Sequence, residues 1–101
     1  MTNKYKKYTD EAKVYDVAKR TPLDYQALLS TRLNNQIYLK REDLQSVFSF
    51  KIRGAYNKLT HLDKKIRDKG IIAASAGNHA QGVAMAAKTL GCRATIVMPK
   101  T

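Results

Sequence analysis

Two short segments hold the residue types from which chemistry is made. In Ser46–Ala55, SVFSFKIRGA, Lys51 stands between Phe50 and Ile52, close to where a helix is expected to begin. Apolar neighbours and the positive end of a helix both disfavour an ammonium ion. A neutral amine is what nucleophilic attack or Schiff-base formation requires. By type alone a surface charge is the plainer reading of any one lysine among 19 Lys and Arg residues. Arg53 and Gly54 read in the same way as a surface charge and a helix irregularity.

The second segment is Ser75–Gln81, SAGNHAQ. It follows an apolar run and precedes an alanine-rich one, so it reads as the loop between a parallel strand and a helix. Such loops lie at the carboxyl edge of an open sheet, where α/β proteins bind ligands. The unpaired amides of the helix's first turn favour an anion. Ser75 adds a hydroxyl, Gly77 a close backbone approach and Asn78 an amide, which suits a small carboxylate or phosphate. A bare turn and helix start explains Gly77-Asn78 equally well. Neither a GxGxxG dinucleotide fingerprint nor a Walker lysine is present. His61, His79 and the single Cys92 lack zinc-ligand spacing, and no GxSxG elbow supports a serine nucleophile.

The elements around these segments follow from pattern. Residues 1–8 read as a mobile basic tail, and residues 9–101 as the folded part of the chain. Thr9 is expected to cap a helix with Asp10 and Glu11 in its first turn and Val14, Tyr15, Val17 and Ala18 on its apolar side. Thr21-Pro22 ends it. A segment around Tyr25–Leu33 puts Leu28, Leu29 and Leu33 on an apolar face, and Asn34-Asn35 is a turn. Gln36–Lys40 reads as a short strand and Arg41–Asp43 as a charged loop. Ser49 opens a helix carrying Ile52, Ala55, Tyr56 and Leu59 at helical spacing. A shorter helix over 60–69 ends at Gly70. Ile71–Ala74 and Ala94–Met98 read as buried strands flanking a helix from His79 to Leu90, with Gly91 as its stop. Strand, turn, helix and strand in some thirty residues make a βαβ unit, hence a parallel sheet with helices on its faces.

The chain has 101 residues, 44% hydrophobic and 27% charged, a globular composition. A net charge of +11 invites a nucleic-acid reading. In the run Lys64, Lys65, Arg67, Lys69, however, Asp63 and Asp68 are interleaved, and Asp63 with Arg67 is a favourable i,i+4 pair, so a solvated helix face is the simpler reading. The six tyrosines are scattered and form no base-stacking platform. No run is long and apolar enough to span a membrane. One cysteine rules out an internal disulfide, and the cytoplasm is the expected location.

Taken together, Leu39-Lys40-Arg41-Glu42-Asp43, Phe48–Ala55 and Ala74–Gly82 closely resemble threonine dehydratase, a family of pyridoxal-phosphate enzymes. The resemblance runs from about Val14 to the last residue. It implies a tryptophan-synthase-β-like fold (fold type II), a three-layer α/β architecture with a parallel sheet, of which this chain would be an incomplete, N-terminal piece. It implies that Lys51 is the Schiff-base lysine that also moves the substrate α proton, that Phe50 packs on the cofactor ring, and that Asn78 hydrogen-bonds the ring 3′-oxygen. Ser75, Gly77 and His79 then lie in the loop that receives the substrate carboxylate. The implied reaction is β-elimination of water from L-threonine, giving 2-oxobutanoate and ammonia, with L-serine as the alternative substrate. Serine racemases of this fold usually carry serine where Ala76 stands, which favours dehydratase over racemase.

Leu29–Leu33 with Lys40–Gln45 lean towards the biosynthetic, isoleucine-pathway type over the catabolic one. Ser46 departs from that pattern, which usually has proline. The family's phosphate-cradling glycine loop, the Ser or Cys facing the pyridine nitrogen and the regulatory domain would all follow Thr101. These 101 residues by themselves are therefore expected to be inactive, and a homo-oligomer is expected only of the full-length enzyme. A working amine titrates at about 7–8 against ~10.4 for free lysine, a change worth ~4 kcal/mol that surroundings must supply. Two competing readings make different predictions. A nucleic-acid module would lose affinity steeply with salt and ignore Lys51, and a fragment completed in trans would be active only on mixing.

Overall fold

Ile52, Ala55, Tyr56 and Leu59 recur every three or four residues, and in the computed structural model, which describes residues 3–100, all four are buried. They form the inner face of an α-helix over Lys51–Thr60. That face packs against a second helix, Asn78–Leu90, whose Val83, Ala86 and Ala87 complete the core with Ala18 and Val47. Small residues on the second helix let the two backbones approach closely. Ahead of this helix runs the strand Ile71–Ala74, and after it Ala94–Val97, paired parallel with Ile71 opposite Ala94 and Ala74 opposite Val97. The expected βαβ unit is therefore present.

The remaining elements complete the chain order: α1 Lys4–Asp10, β1 Leu23–Tyr25, α2 Ala27–Leu33, β2 Tyr38–Lys40, α3 Lys51–Thr60, α4 Lys64–Asp68, β3 Ile71–Ala74, α5 Asn78–Leu90 and β4 Ala94–Val97. Strands β1 and β2 pair antiparallel, Leu23 opposite Lys40, with the Tyr25 and Tyr38 rings 5.2 Å apart. Gly70 at φ +98° and Gly91 at φ +66° stop α4 and α5, as expected of glycine after a helix. Asn34, at φ 48°, closes α2 in the left-handed conformation that asparagine tolerates.

Several expectations are corrected. Thr9 caps nothing: its hydroxyl donates to the Tyr5 carbonyl inside α1, which is capped instead by the Asn3 side chain on the amides of Tyr5 and Lys6. Part of the basic tail is thus helical. Residues 14–16 form only a 3₁₀ turn. Val14, Val17 and Ala18 reach the core without the helix, while Tyr15, expected beside them, is 47% exposed. Tyr25 belongs to a strand, and the leucine face of α2 is bare, with Leu28 90% exposed. Asp63 does not pair with Arg67. Its carboxylate caps α4 at the Lys65 amide, and the i,i+4 pair is Lys64–Asp68.

The radius of gyration is 16.9 Å, against about 13 Å for a compact domain of this length. The chain forms a plate some 21 Å thick. Helices cover the sheet face bearing Ile71, Ala73 and Ile96, while Ile72 and Val97 on the other face are 74% and 50% exposed. A parallel sheet covered on one face only is the incomplete form of a three-layer fold.

Candidate active site

Lys51 opens α3, and the residues around it hold that first turn from two sides. The helix starts two residues later than Ser49, with Phe50 at the N-cap and no side-chain cap, although the Lys51 amide points at the Ser49 hydroxyl 3.4 Å away. The Lys51 side chain is half-buried, with Nζ 4.9 Å from the centre of the exposed Phe50 ring. Phe48, three residues earlier, has a positive φ of 56°.

Arg53, expected to be a surface charge, is instead tied down. Its Nε and one terminal nitrogen donate to the two carboxylate oxygens of Glu42 at 2.8 and 2.9 Å, a bidentate pair. Glu42 also accepts from the Thr21 hydroxyl at 2.8 Å and the Gln45 amide at 3.1 Å. The Arg53 guanidinium, backed by these two bonds, holds the Glu42 carboxyl down at about 2. Gln45, 1% exposed, bonds both the amide and the carbonyl of Lys19. The charged loop at 41–43 is thus a half-buried network, in which Arg41 also pairs with Asp24 and Asp43.

On its other side Lys51 lies against α5. A Cβ built on Gly82 would come 2.9 Å from both the carbonyl carbon and the oxygen of Lys51. Only glycine allows this approach. Asn78 lies four residues before Gly82, on the same side of α5, so Lys51 and Asn78 are brought to neighbouring turns of the packed helices.

The loop before α5 is organised by Ser75, whose Oγ accepts from the amides of Gly77 and Ala80, both at 3.3 Å. The amides of Asn78 and His79 bond nothing among the described residues and remain for an acceptor. A Cβ on Gly77 would meet nothing within 4 Å, so packing within the chain does not demand glycine there. An amine and a side-chain amide on neighbouring turns suit a small aldehyde-bearing cofactor, and the free amide pair suits a carboxylate beside it. His79 stands somewhat apart, lining an open apolar cleft of about 330 Å³ with Gly54, Lys58, Leu62, Ile71 and Val83. Lys51, Phe50, Ser75 and Asn78 do not line it. No three His, Cys, Asp or Glu residues among those described cluster as metal ligands would, and no described helix is long and apolar enough to cross a membrane.

Sequence reasoning missed Glu42, Arg53 and Gly82. Glu42 and Arg53 are eleven residues apart, a spacing with no local signature. Gly82 could have been noticed, because a glycine inside a helix costs about 1 kcal/mol and usually has a packing reason.

Residues 14–101 match the family model described as pyridoxal-phosphate dependent enzyme. Over 90 residues the chain is 62% identical to the chloroplastic biosynthetic threonine dehydratase 1 of Solanum lycopersicum, covering 89% of this chain and 15% of that protein. To the biosynthetic L-threonine dehydratase of Pasteurella multocida it is 57% identical over 95% of this chain and 19% of that one. It spans less than a fifth of these relatives' length. Among solved structures, processed threonine deaminase isoform 2 of Solanum lycopersicum superposes on the whole chain with a TM-score of 0.90 at 51% identity, using 29% of its own length. Maize serine racemase superposes on 95% of this chain and 30% of its own, with a TM-score of 0.85 at 33% identity. The fold is that of fold type II enzymes, and the chain belongs to the pyridoxal-phosphate dependent enzyme family.

Proposed function

We propose that this chain carries the cofactor-anchoring amine and the substrate-carboxylate loop of a threonine dehydratase of biosynthetic type. The observation that supports this most is the packing of the Lys51 backbone on α5 at Gly82, one turn from Asn78, within a segment 62% identical to a biosynthetic threonine dehydratase. When bound, pyridoxal phosphate supplies an electron sink for the carbon whose proton is removed. Lys51 anchors the cofactor and, once displaced by substrate, its amine takes up the α proton as the β-hydroxyl departs. Phe50 covers one face of the ring, and Asn78 hydrogen-bonds its 3′-oxygen. The loop at Ser75, Gly77 and His79 receives the substrate carboxylate on the free amides of α5's first turn.

Overall, water is eliminated from L-threonine and taken up again when the resulting enamine tautomerises and is hydrolysed, so that 2-oxobutanoate and ammonia are released. Ala76 has no exchangeable proton to offer the opposite face of the α carbon, which favours dehydratase over racemase. We place the enzyme in the cytoplasm, as a homo-oligomer in its full-length form. Turnover is proposed for the full-length enzyme and not for these 101 residues by themselves.

Borohydride reduction after incubation with pyridoxal phosphate, followed by peptide mapping, tests this. Label concentrated on Lys51 and lost in Lys51→Ala is expected. Label spread over many lysines would sink the assignment.

A further inference from the structure

We infer that Gly82 is a positioning residue for Lys51: by lacking a side chain it fixes how the first turn of α3 sits on α5, and so where the amine points. This rests on the reading of Lys51 as the cofactor-anchoring amine. A methyl group at position 82 would sit 2.9 Å from Lys51 C and O and 3.2 Å from Ile52 N. All three are backbone atoms, so no rotamer change relieves the contact, and α3 must move. It is not free to move without consequence, because Ile52 is 1% exposed in the core and Arg53 is clamped to Glu42. The strain therefore falls on the turn that carries Lys51. Gly54, also in a helix interior, shows the contrast: a Cβ there meets nothing within 4 Å.

Asn78 and Gly82 are about 6 Å apart along α5. Any shift of Lys51 relative to Gly82 is also a shift relative to the side-chain amide proposed for the cofactor ring oxygen. A displacement near 1 Å in such a geometry costs up to about 10²-fold in rate.

The test compares Gly82→Ala with Ala86→Gly in the purified chain. Ala86 is fully buried one turn further along α5, and its loss weakens packing by deleting a methyl group without adding anything against Lys51. Two readouts are taken: the rate of borohydride-trapped label at Lys51 with its pH profile, and amide exchange along α3. In Gly82→Ala the trapping rate is expected to fall about tenfold or more, its pH profile to shift, and exchange to accelerate at Arg53, whose amide bonds the Phe50 carbonyl, but not at Asn57–Thr60. Ala86→Gly is expected to leave the pH profile in place. Equal effects of both variants, scaling with stability, would make Gly82 a packing residue only and overturn the inference. Unchanged trapping despite faster exchange would overturn it too. If label in the parent chain scatters over many lysines, the assignment of Lys51 fails on its own. The exchange pattern then decides whether Gly82 sets the turn: uniform or unaltered exchange along α3 would refute that as well.

Discussion

Replacing Glu42 with glutamine removes one charge at nearly constant shape, so it breaks the ion pair with Arg53 together with whichever bond from Thr21 or Gln45 meets the new amide nitrogen. The two side chains are 15% and 24% exposed. Breaking a fully buried pair by removing one partner costs about 3–5 kcal/mol, and an exposed pair is worth about 0–1 kcal/mol. The exposure places this pair nearer the buried limit, at ~2–3 kcal/mol. The Glu42 carboxyl is held at about 2 against an ordinary 4.5 by Arg53 first and by the Thr21 and Gln45 bonds after it; at ~1.4 kcal/mol per pH unit the whole network is worth ~3–4 kcal/mol, an upper bound on the pair alone.

The sign follows from proton binding. Between pH 4.5 and 2 the unfolded chain has taken up the Glu42 proton and the folded chain has not, so stability rises with pH there. The contribution is fully present above 4.5 and is lost as pH falls to about 2. The chain has no tryptophan, so urea unfolding is followed by far-UV ellipticity, at pH 7 and in steps down to pH 2. Glu42→Gln is expected to lower stability by ~2–3 kcal/mol at pH 7 and to flatten the acid limb. Arg53→Gln, which strands the carboxylate beside Gln45 and Thr21, is expected to cost at least as much. If Glu42→Gln stays within about 0.5 kcal/mol of the parent, the size of a neutral surface change, or leaves the acid limb as steep, the pair is screened by water and the argument fails.

Other expectations are simpler to state. Ser75→Ala removes the acceptor for the Gly77 and Ala80 amides; a loss of ~1 kcal/mol with faster exchange at Ala80 is expected by hydrogen exchange, and an unaltered Ala80 rate would refute the anchoring role. Ile52→Ala truncates the largest fully buried apolar side chain and should cost ~3–4 kcal/mol in the same urea assay; under 1 kcal/mol would mean the α3–α5 core is not packed as described. Gly70→Ala meets no steric block, its Cβ lying 3.7 Å from the Arg93 carbonyl, so only the left-handed φ of +98° opposes it. A loss of about 1 kcal/mol is expected, and no loss would mean the turn relaxes freely.

What could be read from sequence is what depends on neighbours in sequence. The helical spacing of Ile52, Ala55, Tyr56 and Leu59 gave the buried face of α3 without error, because periodicity is a local property that burial then selects. Glycine stops at 70 and 91 and the Asn34 turn came out for the same reason. The N-terminal third was read less well. Thr9 has the right type for a cap, yet its hydroxyl is spent on the preceding turn, and Asn3 does the capping. Strand β1 is three residues long and has meaning only through its pairing with β2, which no local pattern reveals. Of the candidate site, Lys51 and Ser75–His79 were legible through their resemblance to a known family. Glu42 and Arg53 were not, because a charge pair across eleven residues looks like two solvated charges until a fold brings them together.

The first turn of α3 is held by two constraints of different physical kind. On one side is an ion pair, Glu42–Arg53, whose strength falls with acid and whose partners can be separated by a change of charge. On the other is a steric contact, Gly82 against Lys51, which neither pH nor salt touches. A reactive lysine held only by electrostatics would shift whenever its own protonation changed, since a charge at Lys51 sits two residues from the Arg53 guanidinium. The contact at Gly82 removes that freedom. It sets the backbone of Lys51 independently of charge, while the Glu42 clamp keeps α3 from rotating away from α5. Holding the backbone so firmly leaves motion to the four-carbon stem of the lysine. That is the part that must swing if one amine is to anchor a cofactor and afterwards carry a proton.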